Sequence, residues 1–592
     1  MKDESLGRMP SKQRLATSLR GCIARSPIAA ARTIALFGCL VSAGIPARAA
    51  EAPESPVRAV AKTPSADLAQ VAVINEHIRR QWEGAKLVPS AAASDGEWCR
   101  RAFLDVLGRI PTVDELKRFT DEVPAQRKKS RQVARLLGED YVEEYARNWT
   151  TLWTNVLIGR SGGTERRTLV NREGLQQALR RALVRNMPYD KMVYELIAAK
   201  GVSKPGEEGF NGFVNFLAGN LEESGVQATA KSSQIFLGLQ VQCTQCHNHP
   251  FNEWKQNQFW ELNAFFRQTR ALRRFGTTRR DIESIELVNQ DFAGENNRPE
   301  EAALFYELRN GLSKAAYPVF IDGTKLKSPS GFVADIDRRT ELAGLVVGSE
   351  FLARAQVNRL WAHFLGYGFT KPIDDLGPHN PPSHPELLEA LATEFRTHSY
   401  NQKELIQWIL LSEPYALSSK TGPRNKKDDP ALGERPLFSR FYLRQMRAEE
   451  LYESLLVATE AHNTQGDYGK QETTKREWLK QFTLAFGTDD NEETTTFNGT
   501  IPQTLMMMNG EMINKATEVK PGSFLHRIAT DAKINNAAKI NHLYLAALAR
   551  KPTAQEIALA NELLAARKGD AVAALADVWW AVLNSNEFIL NH

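Results

Sequence analysis

From about Val71 to Arg270, apolar residues recur at three- and four-residue steps, the period of helices with one buried face. Trp98, Ala102, Phe103 and Val106 form one such stripe. Tyr145, Trp149, Leu152, Trp153 and Val156 form a second, and Leu175, Leu179, Leu183 and Val184 a third. Between about Ile282 and Gly331 the pattern changes to short β-leaning runs, SIELVNQ, ALFYELRN and YPVFIDG, separated by Asn, Gly and Pro. Helical periodicity returns at Asp337 and runs on, with Leu342, Val346, Phe351, Ala355, Leu360 and Phe364 as its first markers. The pattern predicts a mainly α protein, with helical domains at 75–270 and 337–592 and a small β-rich insert at 271–336. Residues 50–74, rich at their start in Ala, Pro and Ser, read as a flexible linker.

A short echo links the two ends of the chain. FLDVLGRIPTVDEL (103–116) matches YLAALARKPTAQEI (544–557), each reading as helix, Arg-x-Pro turn, helix. Thr112 with Glu115, and Thr553 with Glu556, have capping-box spacing. Ser383 with Glu386 has it too, which places His384 inside a predicted cap.

Composition changes the picture mainly at the N-terminus. The 592 residues carry a formal charge of +5, but residues 1–49 alone hold eight basic and two acidic side chains. The remainder has a net charge of −1, so the basic balance gives no reason to expect nucleic-acid binding. Residues 1–49 read as an export signal: a long basic stretch, a short apolar core from Ile34 to Ile45, then Ala47-Arg-Ala49 as a cleavage site. The expected location is periplasmic or extracellular, with no transmembrane segment after cleavage. Cleavage removes Cys22 and Cys39, leaving Cys99, Cys243 and Cys246, too few for a disulfide framework. Cys99 falls on a predicted helix as a small buried hydrophobe.

The chemistry gathers in one place. LGLQVQCTQCHNHPFNEW (237–254) contains Cys243-Thr-Gln-Cys246-His247, the spacing by which c-type haem is attached to a chain. Ile235, Leu239, Cys243 and Cys246 follow helical steps, which predicts that the thiols continue an apolar stripe until Pro250 ends the helix. Three readings fit these residues. Thioethers from Cys243 and Cys246 with His247 as axial ligand give covalent haem c. Cys243, Cys246, His247 and His249 together offer a zinc or iron site, though adjacent Cys246 and His247 crowd one ion. A Cys243–Cys246 disulfide needs no cofactor at all. The aromatics that follow, Phe251, Trp254, Phe259, Trp260, Phe265 and Phe266, read first as core.

Met506 to Met508, Met512, His363, His379 and His384 are candidates for a sixth haem ligand, each with a plain structural role as the commoner explanation. Asp374-Asp375 and Asp489-Asp490 are acidic pairs that read as solvated turn residues. Glycine-rich phosphate loops, G-x-S-x-G elbows and H-E-x-x-H motifs are absent from the sequence.

The stretch CTQCHNHPFNEWKQNQFWELNAFF, with RRAFLDVLGRIPT and NMPYDKMVYELI upstream, resembles the planctomycete cytochrome-c-associated proteins, domain of unknown function 1549. ARAQVNRLWAHFLGYGFTKPIDDLGPHNPPSHPELLEALATEF, RAEELYESLLVAT, IPQTLMMMNGEMINKA and AVLNSNEFILNH resemble its partner, domain of unknown function 1553. The resemblance implies an exported protein whose motif residues are Cys243, Cys246, His247 and His249. It implies no established activity. Some relatives carry an extra N-terminal cytochrome-like domain; only a short linker is expected after the leader here, so the resemblance suggests a separate cytochrome or other exported protein as partner. The leading expectation is an exported haem c- or metal-binding protein in electron transfer or redox chemistry. An extracytoplasmic binding or scaffold protein with a structural Cys/His site or disulfide is the second expectation. A hydrolase of envelope or imported polymers, with no identifiable nucleophile, is the third.

Overall fold

A computed structural model describes residues 68–592, apart from 164–167, 277–280, 461–466, 468 and 478–509. It is mainly α, with a few short antiparallel strands. The predicted stripes are the buried faces. Trp98, Ala102, Phe103 and Val106 are all buried on the helix Asp95–Leu107, and Tyr145, Trp149 and Trp153 on the helix Val142–Ile158. One apolar core takes residues from Val71 through Tyr442 together with Ala549, so both long helical stretches contribute to it. A second core holds Met446 to Ile589 together with Leu104 and Ile110 from the first stretch.

The helix Asp95–Leu107 starts on a Ser94–Glu97 capping box and ends at Gly108 in the left-handed region. It is buried on all sides, and its two adjacent arginines explain how. Arg100 donates to the carbonyls of Phe588 and Leu590, and Arg101 to those of Tyr415, Leu417 and His592. Buried guanidiniums thereby satisfy the backbone of distant segments, including β7 (Leu590–Asn591), which pairs with β6 (Arg444–Gln445).

The internal echo is a repeated device. Both predicted capping boxes form, at Thr112–Glu115 and Thr553–Glu556. In each copy the turn arginine also binds its box glutamate through two nitrogens and reaches a second carboxylate. Arg109 bridges Glu115 and Glu144, and Arg550 bridges Glu556 and Glu587.

The β-rich region starts earlier than its periodicity suggests. β2 (Thr269–Phe275) begins within the stretch read as helical, and β3 (Ile282–Asn289) is the predicted SIELVNQ run. They form a sheet of order β1-β3-β2 with β1 (Gly201–Val202). β4 (Leu304–Glu307) and β5 (Ser313–Ala316) make a separate hairpin. YPVFIDG does not form a strand: it contributes only a Val319–Lys325 bridge, as the chain turns at Gly323 to bring the Thr324 carbonyl to the Phe320 amide.

The Ser383–Glu386 cap does not form. The helix Pro385–Thr397 opens on Pro385, whose fixed φ suits the first turn, with His384 as a cap residue lacking a side-chain bond to the helix. Among the described residues, no helix is long and apolar enough to cross a membrane. Residues 1–49, Asp489-Asp490 and Met506 to Met508 lie outside the described residues; Met512 lies on the helix Glu511–Thr517.

Candidate functional site

The helical stripe predicted through Cys243 stops short. The helix Glu222–Ser232 widens into a π-turn over Ser233–Leu237 and ends at Gly238, whose φ of 66° is left-handed. A side chain at Gly238 would sit 2.8 Å from Leu376 Cδ1, so the close approach of another segment reinforces the need for glycine here. Ile235 and Leu239 are buried as the stripe requires, but the cysteines are not on that helix. They lie on a separate 3₁₀ turn, Gln242–Gln245 and its cap Cys246.

This turn reverses the expected orientation. In a 3₁₀ geometry residues three apart share an edge, so Cys243 and Cys246 face the same way. That way is outward: both are exposed free thiols. The residue turned inward is Thr244, fully buried, with its hydroxyl donating to the Val241 carbonyl at 2.6 Å. Cys99, by contrast, is buried as predicted, and burial, followed by the nearby Glu115, pushes its thiol pKa well up.

Beyond the turn the loop is closed by its own bonds. The Gln245 carbonyl accepts from Trp260 Nε1 at 3.0 Å and from Gln256 Nε2 at 3.2 Å. The His249 amide donates to the Trp254 carbonyl, and Asn248 Oδ1 takes the Gln256 amide. Phe259, Phe265 and Phe266 are core, as expected of the aromatics, and Trp254 and Trp260 are half-buried. Phe251 departs from that expectation: it is 86% exposed, at a loop bend between Pro250 and Asn252 rather than on a helix face.

The two motif histidines differ in tautomer. His247 Nδ1 lies 2.6 Å from the Asn248 carbonyl oxygen, which can only accept. Neutral His247 therefore carries its proton on Nδ1 and a free lone pair on Nε2. His249 is the reverse, since its Nδ1 accepts the Phe251 amide at 3.2 Å and its proton belongs on Nε2. Burial, then His379, hold the His249 pKa below the ordinary histidine value.

A second loop, from the other helical stretch, underlies the first. Asp374, predicted as a solvated turn residue, is 6% exposed. It accepts from Gln234 Nε2 at 2.5 Å and Gln240 Nε2 at 2.7 Å, because the π-turn and the chain after Gly238 present both amides to it. The Leu376 amide donates to the Gly238 carbonyl at 2.7 Å. Asp375 holds His379 Nε2 at 2.8 Å, and the His379 ring centroid is 6.1 Å from that of His249. Gly377 leaves room for the His379 ring, which a Cβ there would meet at 2.6 Å. Sequence reasoning missed Gln234 and Gln240; the Asp374-Asp375 pair was the one signal pointing to this junction.

The other histidine candidates lie elsewhere. His363 Nε2 donates to the Asp105 carbonyl, and burial lowers its pKa to about 3. His384 is buried against Phe369 and Phe438. Among the described residues, no three His, Cys, Asp or Glu side chains converge in an arrangement that would hold a metal ion. The outward edge of the cysteine loop carries two accessible thiols and one imidazole with its Nε2 lone pair free.

Comparison with known families gives two matches in the order of the two loops. Residues 73–271 match PSCyt2, a protein of unknown function (DUF1549), and residues 338–564 match PSD1, a protein of unknown function (DUF1553). The cysteine loop belongs to the first match and the Asp374–His379 loop to the second. No curated protein and no solved structure matches the chain.

Proposed function

We propose, for a chain that belongs to the family joining PSCyt2 to PSD1, that the Cys243–His249 loop attaches haem c and that the protein is an exported electron-transfer or redox protein. The observation that carries this reading is the His247 Nδ1 to Asn248 carbonyl bond of 2.6 Å, beside two exposed free thiols. An imidazole whose far nitrogen is held by a carbonyl has its tautomer and orientation set for a metal at Nε2. Cys243 and Cys246 would hold the group through thioethers, and His247 Nε2 would bind the iron. Bound there, haem would supply one-electron chemistry at a potential set by its surroundings. His249, whose Nδ1 accepts the Phe251 amide, would carry its proton on Nε2 and is not a ligand in this reading. The exposed phenyl of Phe251 at the loop tip suits an apolar macrocycle.

A bare zinc or iron ion on Cys243, Cys246 and His247 is the second reading; these side chains do not converge as the loop stands, so the loop would have to close around the ion. Maturation in a host with haem-c attachment machinery separates the two. A pyridine haemochrome spectrum and a haem-sized mass increment, both lost in Cys243→Ala/Cys246→Ala, are the expected result. A colourless protein with stoichiometric zinc or iron would replace haem by the metal reading. A colourless, metal-free protein would sink both.

A further inference from the structure

The start of the helix Glu222–Ser232 faces β2 across a groove of about 300 Å³. That volume is at the lower end for small-molecule pockets. Arg267, Arg270 and Arg273 all line it. Arg270 and Arg273 leave opposite faces of β2, so the groove follows the open edge of this terminal strand of the sheet. Gly225, with φ 81°, closes its inner side, where a Cβ would come 3.2 Å from Phe266 Cβ.

The charges here are unbalanced. Arg267 is paired with Glu295 at 2.6 Å, and Glu222 also lines the groove. Among the described residues, Arg270 donates only to the carbonyls of Arg267 and Thr269, and the Arg273 guanidinium has no partner. Burial lowers the Arg267 pKa, Glu295 opposes this, and repulsion from Arg270 adds to it. Thr269, 4% exposed on the groove wall, has a hydroxyl with no hydrogen-bond partner.

The geometry points to a binding site in this groove for a small molecule bearing a phosphate or sulfate group, held by Arg270 and Arg273. Planar guanidinium forks match the oxygens of such groups, and a third cation nearby gains from an added anion.

Titration calorimetry on the full chain tests this with four probes: inorganic phosphate, glucose phosphate, glucose sulfate and glucose. Saturable binding of an ester, weakened by salt and by at least tenfold in Arg270→Ala/Arg273→Ala, is the expected result, with glucose silent. Arg273→Ala alone, on an exposed side chain, should fold normally and still weaken binding; Arg424→Ala, outside the groove, should not. Inorganic phosphate binding as tightly as the esters would support the site and assign it to the free ion. Absence of saturable binding at millimolar probe, or binding retained in the double variant, would overturn the site. Neither outcome bears on the cysteine loop.

Discussion

Gln240 donates its side-chain amide to Asp374 Oδ1 at 2.7 Å, joining the residues just before the cysteine turn to a loop 134 positions further along the chain. Gln234 holds the other carboxylate oxygen, so one buried aspartate fixes the base of the cysteine loop from the second family region.

Asp374→Asn should break this clamp. The new amide turns one acceptor into a donor that faces a glutamine NH₂ group. The expected cost is about 1–3 kcal/mol in urea unfolding, the range for an unsatisfied buried polar group. Hydrogen exchange of the amides from Leu239 to Thr244 should accelerate with it. Wild-type exchange at those amides would contradict the clamp.

Iodoacetamide should modify Cys243 and Cys246 in the folded, reduced and cofactor-free protein, and leave Cys99 untouched until denaturant is added. Exposure permits the first reaction. Burial, which excludes the reagent and suppresses the Cys99 thiolate, prevents the second. Peptide mass spectrometry reads all three sites. Cys99 labelling in the native protein would mean its helix opens more readily than its packing implies.

The two copies of the Arg-x-Pro device should differ in importance. The Arg109 side chain is 8% exposed and that of Arg550 is 30% exposed. Arg109→Met leaves Glu115 buried without its cation and should cost about 3–5 kcal/mol. Arg550→Met, in a more solvated setting, should cost about 1 kcal/mol or less. Thermal unfolding of the two variants compares them directly, and equal losses would show that burial does not set the scale.

Stability should fall in mild acid through His384. It is 2% exposed, its Nε2 has no partner, and burial together with His77 lowers its pKa from an ordinary 6.5 to about 4. The unfolded chain therefore takes up this proton first as pH drops. The stabilisation is fully present above pH 6.5 and is lost towards the folded value near 4. The slope is about 1.4 kcal/mol per pH unit. His384→Phe, packed against Phe369 and Phe438, removes that contribution. Urea midpoints across this range should decline less steeply in the variant, and parallel profiles would rule His384 out as the cause.

How far the sequence reads depends on what each feature needs. Helical stripes such as Trp98 to Val106 were legible because burial of one face imposes a local period. The capping boxes at Thr112 and Thr553 were legible because both partners lie within one turn. Ser383–Glu386 had the same spacing and failed, since His384 is drawn into an aromatic pocket and Pro385 starts the helix instead. β2 was missed because Arg270, Arg273 and Arg274 on an edge strand give no apolar alternation.

For the candidate site, the residues alone determined the chemistry on offer: Cys243, Cys246 and His247 at attachment spacing, with His249 beside them. They did not determine its direction. A helical period continued through Ile235, Leu239 and Cys243 points the thiols inward. Gly238 ends that helix in the left-handed region, with the Leu376 side chain packed against it, and the following 3₁₀ turn buries Thr244 and exposes the cysteines. The differing tautomers of His247 and His249 depend on a neighbouring carbonyl and a neighbouring amide, both placed by how the loop closes. The Asp374 clamp joins segments far apart in the chain, and only folding brings them together. Local spacing fixed which groups are present; long-range packing decided which way they face and what holds them.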